Sequence, residues 1–403
     1  MSISLKPRVL LLVALALVST GILACSSDPE TVEVIKEVEV EKIVEVEVEV
    51  EVEKEVEVIK EVEIIKEVEV EKIVEVAADP GNLVIYSGRK ESLVGPIIEQ
   101  FSKSTGINVE VKYGSSAPMA ALLMEEGDKT PADIFYAQDP GAIGSVENML
   151  KKISDDVLMD SVTDDDGKTS DVDVVPAWAK SPQGLWTGIT GRARVVVYNT
   201  AELSEADLPD TMQGFCDAEW KGRIGWAPSN SSFQTMITAM RQEWGETATK
   251  EWIECIRDND AAVYPKNTPQ VEAAAKDEID VGFVNHYYLY KFVLDKAEGD
   301  DFAARNYHPR GGGPGAMIMV SAAGILKTSQ NTDNAEKFIE FMTSQVAQSY
   351  FANSTREYPL VDGVKKHPLI TAMDDITKPT ISLASLSDIA GSAQMLRDAG
   401  VLE

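Results

Sequence analysis

Ile279-Asp280-Val281-Gly282-Phe283-Val284-Asn285-His286-Tyr287-Tyr288 is the stretch whose reading decides the fold. Its first six residues form an apolar run that reads as a buried strand of a parallel sheet, and the pattern over residues 288–296 reads as a helix. A strand that hands over to a helix at its carboxyl end is where open α/β sheets bind ligands. Two adjacent phenols stand at that junction. On a helix they point about 100° apart, so in one reading one tyrosine is core and the other rim. In the other reading both oxygens face a cleft, a hard anionic donor pair suited to a trivalent cation such as Fe(III).

Working outward, residues 83–87, 107–113 and 133–136 read as strands, with helices over 92–104, 117–126 and 141–149. Alternation of this kind means a parallel sheet covered on both faces. After an acidic insert at 155–173 comes a strand over 192–198, apolar on both faces at Val195-Val196-Val197, as a strand passing between two lobes would be. A second α/β set follows, with strands at 223–226 and 261–264 and helices at 233–244, 248–257 and 269–276. Gly311-Gly312-Gly313-Pro314-Gly315 reads as a hinge, after which residues 316–326 return to the first set, and helical patterns follow at 333–343, 345–353 and 385–399. The expected fold class is therefore α/β, with lobe 1 at 79–190 and 317–367, lobe 2 at 191–316 and 368–403, and a cleft that can close.

The amino terminus reads as an address. Lys6 and Arg8 precede an apolar run over residues 9–18, and Ile22-Leu23-Ala24-Cys25 resembles a bacterial lipobox. Residues 1–24 are then a signal peptide, and Cys25 carries lipid that anchors the chain at the outer face of a membrane. Residues 25–78 read as a tether, and over residues 32–76 apolar residues and lysine fill even positions and glutamate most odd ones. Its lysines at 36, 42, 54, 60, 66 and 72 are separated by multiples of six. That keeps them on one face of an extended chain but spreads them around a helix. Fully extended, residues 32–76 would reach roughly 150 Å. The tether reads as a solvated spacer, with an oligomerising β-stalk or a helical coil as the alternatives.

The formal net charge of −30 argues against nucleic acid as a partner. With Cys25 assigned to the anchor, Cys216 and Cys255 are left to form one disulfide or two free thiols. No Ser-His-Asp order, zinc-spaced His/Cys set or GxxxxGK loop is present, so the chain does not read as an enzyme.

Five stretches carry a resemblance: Tyr86-Ser87-Gly88-Arg89-Lys90-Glu91, Pro131-Ala132-Asp133-Ile134-Phe135-Tyr136-Ala137-Gln138-Asp139, Gly191-Arg192-Ala193-Arg194-Val195-Val196-Val197-Tyr198-Asn199, Trp220-Lys221-Gly222-Arg223 and Val284-Asn285-His286-Tyr287-Tyr288. Together, over about residues 81–400, they resemble the ferric-iron-binding, extracytoplasmic substrate-binding proteins of ABC importers. That resemblance implies the two-lobed, type II periplasmic-binding-protein fold, a monomeric binding domain, and partnership with a permease and an ATPase.

The resemblance also implies Fe(III) ligation by Tyr287 and Tyr288, with a carbonate-like or phosphate-like anion or a chelator completing the coordination. The anion would be held by Arg192 or Arg194, Asn285 and the turn Ser229-Asn230-Ser231-Ser232, a helix start that favours negative charge. Ser87, Arg89, Gln138 and Asp139 join the expected ligand-binding set. The resemblance further implies that some members carry a histidine, or His-Tyr, in the first strand-helix turn, where this chain has Arg89-Lys90, some a glutamate at the end of the third strand, where Gln138 stands, and some a tyrosine where Phe233 stands. His286 is left out of the metal set, because a lone histidine is more often a hydrogen-bonded neighbour.

Overall fold

The computed structural model describes residues 80–163 and 168–402. The signal segment, Cys25 and the tether lie outside the described residues, as do residues 164–167 of the acidic insert. Pro80–Glu403 forms one compact unit.

The chain runs β1 (Asn82–Ser87), α1 (Glu91–Thr105), β2 (Asn108–Tyr113), α2 (Ser116–Glu126), β3 (Ile134–Ala137), α3 (Pro140–Ser145), β4 (Leu150–Lys151) and α4 (Asp155–Leu158). α1 forms because Val94, Ile97, Ile98 and Phe101 recur at helical spacing and bury one face. Gly106, at φ 77°, ends it with a left-handed cap that donates to Ser102 O. The acidic insert holds an exposed hairpin, β5 (Met159–Thr163) and β6 (Thr169–Asp173). β7 (Thr187–Asn199) follows, and all of its residues are buried. Beyond it come β8 (Ile224–Trp226), α5 (Ser231–Trp244), α6 (Glu246–Asp258), β9 (Ala262–Val263), α7 (Asn267–Ala275), β10 (Val281–Asn285), β11 (Ala304–Tyr307), β12 (Ile318–Leu326), α8 (Thr332–Thr343), α9 (Gln345–Tyr350) and α10 (Ile389–Asp398).

The main sheet has the order β2-β1-β3-β12-β7-β10-β8-β9. Two parallel sets, β2-β1-β3 and β10-β8-β9, are joined through β12 and β7, which run antiparallel to each other and to the strands beside them. β10 therefore corrects the expectation of a purely parallel environment. It is parallel to β8 but antiparallel to β7, because β7 crosses between the sets. β7 changes partner at one point: Ala193 lies opposite Ile318 of β12, and Arg194 opposite Asn285 of β10. The lobe boundary expected at 190/191 falls inside this unbroken strand.

The helix expected over 288–296 is also corrected. The chain makes a 3-10 turn at His286–Tyr288 and a π-helical turn at Lys291–Asp295. In the wide turn Phe292 stacks on Phe302, with ring centroids 4.7 Å apart, a packing that the apolar spacing alone does not distinguish from a regular helix. The cysteine alternatives resolve as a disulfide between Cys216 and Cys255, with Cα atoms 5.4 Å apart. Among the described residues, no helix is long and apolar enough to cross a membrane.

Candidate functional site

β10 ends at Asn285, and the 3-10 turn places both following phenols inward: Tyr287 and Tyr288 are 4% and 5% exposed. Their ring centroids lie 4.3 Å apart with planes inclined by 33°. The tight turn thus overrides the expected divergence, and neither ring is a solvent-facing rim residue. The Tyr287 hydroxyl has no hydrogen-bond partner among the described residues. Burial, reinforced by the neighbouring Tyr287 phenol, holds the Tyr288 hydroxyl well above the ordinary tyrosine pKa. His286 is occupied: Nδ1 accepts from Ala193 N at 3.1 Å, so Nε2 is the nitrogen that donates to Arg356 O at 2.7 Å. Burial pushes its pKa down to about 3, which keeps the ring neutral.

The period-two geometry of β7 sends Thr190, Arg192 and Arg194 to one face. Both arginines are fully buried. Arg192 Nη2 donates to Val320 O at 3.3 Å and Arg194 Nη1 to Asn285 Oδ1 at 3.1 Å. Burial first, then the Arg192 charge, draws the Arg194 pKa down to about 9.

The turn after β1 brings a third buried guanidinium. Arg89 lies 5.9 Å from the Tyr287 ring centroid and pairs with the buried carboxylate of Glu357. Six nitrogens of these three arginines have no hydrogen-bond partner among the described residues: Nε and Nη1 of Arg89, Nε and Nη1 of Arg192, and Nε and Nη2 of Arg194. Among the described residues, Glu357 is the one carboxylate ion-paired with any of them. Buried cations left unmatched are costly, so the arrangement favours the arrival of negative charge. Beside them, Lys90 Nζ sits 5.0 Å from the Tyr288 ring. Burial, then the charges of Lys291, Lys266 and Arg89, lowers its pKa to about 8.

The other expected residues divide in two. Gln138 reaches from the end of β3 to α5, donating from Nε2 to Ser232 Oγ at 2.8 Å, and Asn285 Nδ2 meets the same hydroxyl at 3.5 Å. Ser232, Asn285 and Gln138 therefore join the arginines and phenols. Asp139, Ser87, Asn230 and Ser231 are engaged elsewhere. Asp139 caps α3 at Ala142 N and accepts from Ser231 Oγ at 2.6 Å and Thr235 Oγ1 at 2.8 Å. Ser87 Oγ accepts from Arg89 N, and the Asn230 side chain accepts from Phe233 N as the cap of α5.

Sequence reasoning passed over four residues here. Glu357 and Thr190 belong to the Arg89 ion pair. Tyr136 on β3 has a buried hydroxyl without a hydrogen-bond partner among the described residues, and burial pushes its pKa up to about 12. Asn267, 1% exposed, opens α7 with both amide atoms unpartnered among the described residues. Since α7 leads from β9 to β10, its start lies at the carboxyl edge of those strands. A buried amide next to Lys266 at a helix start was the available signal. Among the described residues, no group of three or more His, Cys, Asp or Glu could hold a metal.

Residues 129–377 match the family described as bacterial extracellular solute-binding protein. Over 329 residues the chain is 30% identical to the major ferric iron-binding protein of Neisseria meningitidis, covering 81% of this chain and 95% of that one. Iron-bound HitA from Pseudomonas aeruginosa is similar in structure at a TM-score of 0.72 and 26% identity, covering 80% of this chain and 100% of that one. A Trichodesmium protein (IdiA, FutA) in complex with iron and citrate ligands is similar at a TM-score of 0.65 and 26% identity, covering 79% and 99%.

Proposed function

The chain belongs to the bacterial extracellular solute-binding family, and from that premise we propose that it is the extracytoplasmic solute-binding component of an ABC importer whose cargo is ferric iron. The observation that carries this reading is the pair of buried phenols at Tyr287 and Tyr288, rings 4.3 Å apart, one hydroxyl unpartnered and cations alongside. The similar proteins, a ferric iron-binding protein and two iron-bound structures, support the same cargo.

Fe(III) displaces the two phenol protons and, as the dominant local charge, makes phenolate the stable form. His286 stays out, both of its nitrogens being used. A carbonate-like or phosphate-like anion, or the carboxylates of a chelator, completes the coordination. Arg192 and Arg194 hold that anion, helped by Asn285, Ser232 and Gln138 and by Asn267 at the start of α7. The sheet halves on either side of β7 and β12 act as the two lobes, and their closure excludes water and strengthens each contact. Lipid at Cys25 keeps the protein at the membrane, where a permease and its ATPase take the cargo.

A second reading keeps the importer role with an organic or oxyanion solute and no metal, and the six unpaired guanidinium nitrogens favour it. The test is iron retained after mixing iron-free protein with ferric citrate and desalting. One iron per chain is expected, lost in Tyr287→Phe/Tyr288→Phe. No retained iron, together with thermal stabilisation by citrate or phosphate alone, would establish the second reading instead.

A further inference from the structure

Residues 356–358 touch both sides of the site without reaching the phenol oxygens. Tyr358 exchanges two backbone hydrogen bonds with Gly191 of β7, at 2.8 and 2.9 Å, which lays the segment across the crossing strand. Arg356 O accepts from His286 Nε2, and the Tyr358 ring lies 4.9 Å from the His286 ring, so the segment grips the tyrosine turn. Between them, Glu357 is fully buried and uses both oxygens, accepting from Arg89 Nη2 and from Thr190 Oγ1. Thr190, its proton given to Glu357, can accept in turn from Ser321 Oγ at 2.7 Å. Glu357 is the sole side-chain partner of the Arg89 guanidinium among the described residues, and that guanidinium lies 5.9 Å from the Tyr287 ring.

We propose that Glu357 is a positioning residue for the metal site: it holds Arg89 against Tyr287 and balances its charge, so that a residue which never touches the ferric ion sets the charge felt by the phenolate bound to it. The inference rests on the reading of Tyr287 and Tyr288 as iron ligands. An unbalanced guanidinium beside Tyr287 repels the trivalent ion and draws electron density from the phenolate. Fe(III) then binds more weakly, by on the order of 10- to 100-fold, and the phenolate-to-iron absorption moves to shorter wavelength.

The test compares the full chain with Glu357→Gln and with Glu357→Gln/Arg89→Gln, reading band position and iron affinity by citrate competition. The single variant is expected to show the shifted band and weaker binding. The double variant, its charge balance restored, is expected to regain the original band position and to bind iron more tightly than the single variant. A purely structural role predicts that the double variant loses more than the single one, and that result overturns the proposal, as does a single variant with unaltered band and affinity. If Glu357→Gln does not fold, Glu357→Asp keeps the charge, and a retained band position supports the proposal while a shift overturns it. Absence of the band in the unsubstituted protein overturns the iron reading itself, and this inference with it.

Discussion

The turn after β10 brings two buried phenols and no cation, whereas the turn after β1 brings Arg89 and Lys90 and no phenol; they meet with Arg89 over Tyr287 and Lys90 over Tyr288. The first turn leaves a donor oxygen unpartnered at Tyr287. The second pairs its guanidinium with Glu357 and leaves two of its nitrogens open. One side thus carries oxygen donors, and the other carries positive charge. Lys90 can recruit an anion but cannot serve as a ligand while it is protonated.

The comparison breaks most severely if the donors are removed. Tyr287→Phe/Tyr288→Phe should lower iron affinity by more than the roughly 10- to 100-fold that changes outside the ligand set cost, read by citrate competition. Replacing Arg194 with methionine removes a buried cation and the hydrogen bond to Asn285. It should weaken iron binding by about 10- to 100-fold, with the loss reduced when anion is raised to saturation.

A smaller effect appears in the pH dependence of the iron-free protein. Lys90 titrates near 8 in the folded chain against an ordinary value of 10.5. Between those values the unfolded chain binds more protons at this side chain, so stability rises with pH across that window; below pH 8 the penalty is present in full. Denaturant titrations from pH 8 to 10.5 should show the rise, and Lys90→Met should flatten it. His286 acts lower on the scale. Its folded pKa of about 3 against 6.5 means that the stability it contributes is lost as pH falls between those values.

The smallest effect on the site should come from Cys216→Ala/Cys255→Ala. The bond joins residues 39 apart, so its removal should cost about 2–4 kcal/mol of stability in a denaturant titration. Iron affinity should stay unchanged.

How far the sequence alone reaches follows from where each group lies in the chain. Asn285 ends a buried strand and Tyr287 and Tyr288 follow within three residues, so their joint placement is legible. Arg192 and Arg194 are legible because alternate residues of a strand share a face. Glu357 and Asn267 are not, because they reach the site from separate elements, and no local pattern tells which distant carboxylate will meet Arg89. The antiparallel neighbour of β10 is hidden for the same reason, since a buried strand's own residues do not name its partner. Residues 288–296 carry helical spacing, yet the chain uses 3-10 and π turns there, because burying both phenols and Phe292 outweighs local preference. The resemblance put Asp139 in the expected ligand-binding set, but its oxygens are engaged with the α3 cap, Ser231 and Thr235, a separation that only the three-dimensional contacts make.

The central claim is that two phenolates on one tight turn bind Fe(III), and the visible absorption spectrum tests it most directly. Titrating iron-free protein with ferric citrate should raise a phenolate-to-iron charge-transfer band that saturates at one iron per chain, is absent in Tyr287→Phe/Tyr288→Phe, and is lost on acidification as protons reclaim the oxygens. A titration in which iron binds with no such band, or with the same band in the doubly substituted chain, would contradict the account.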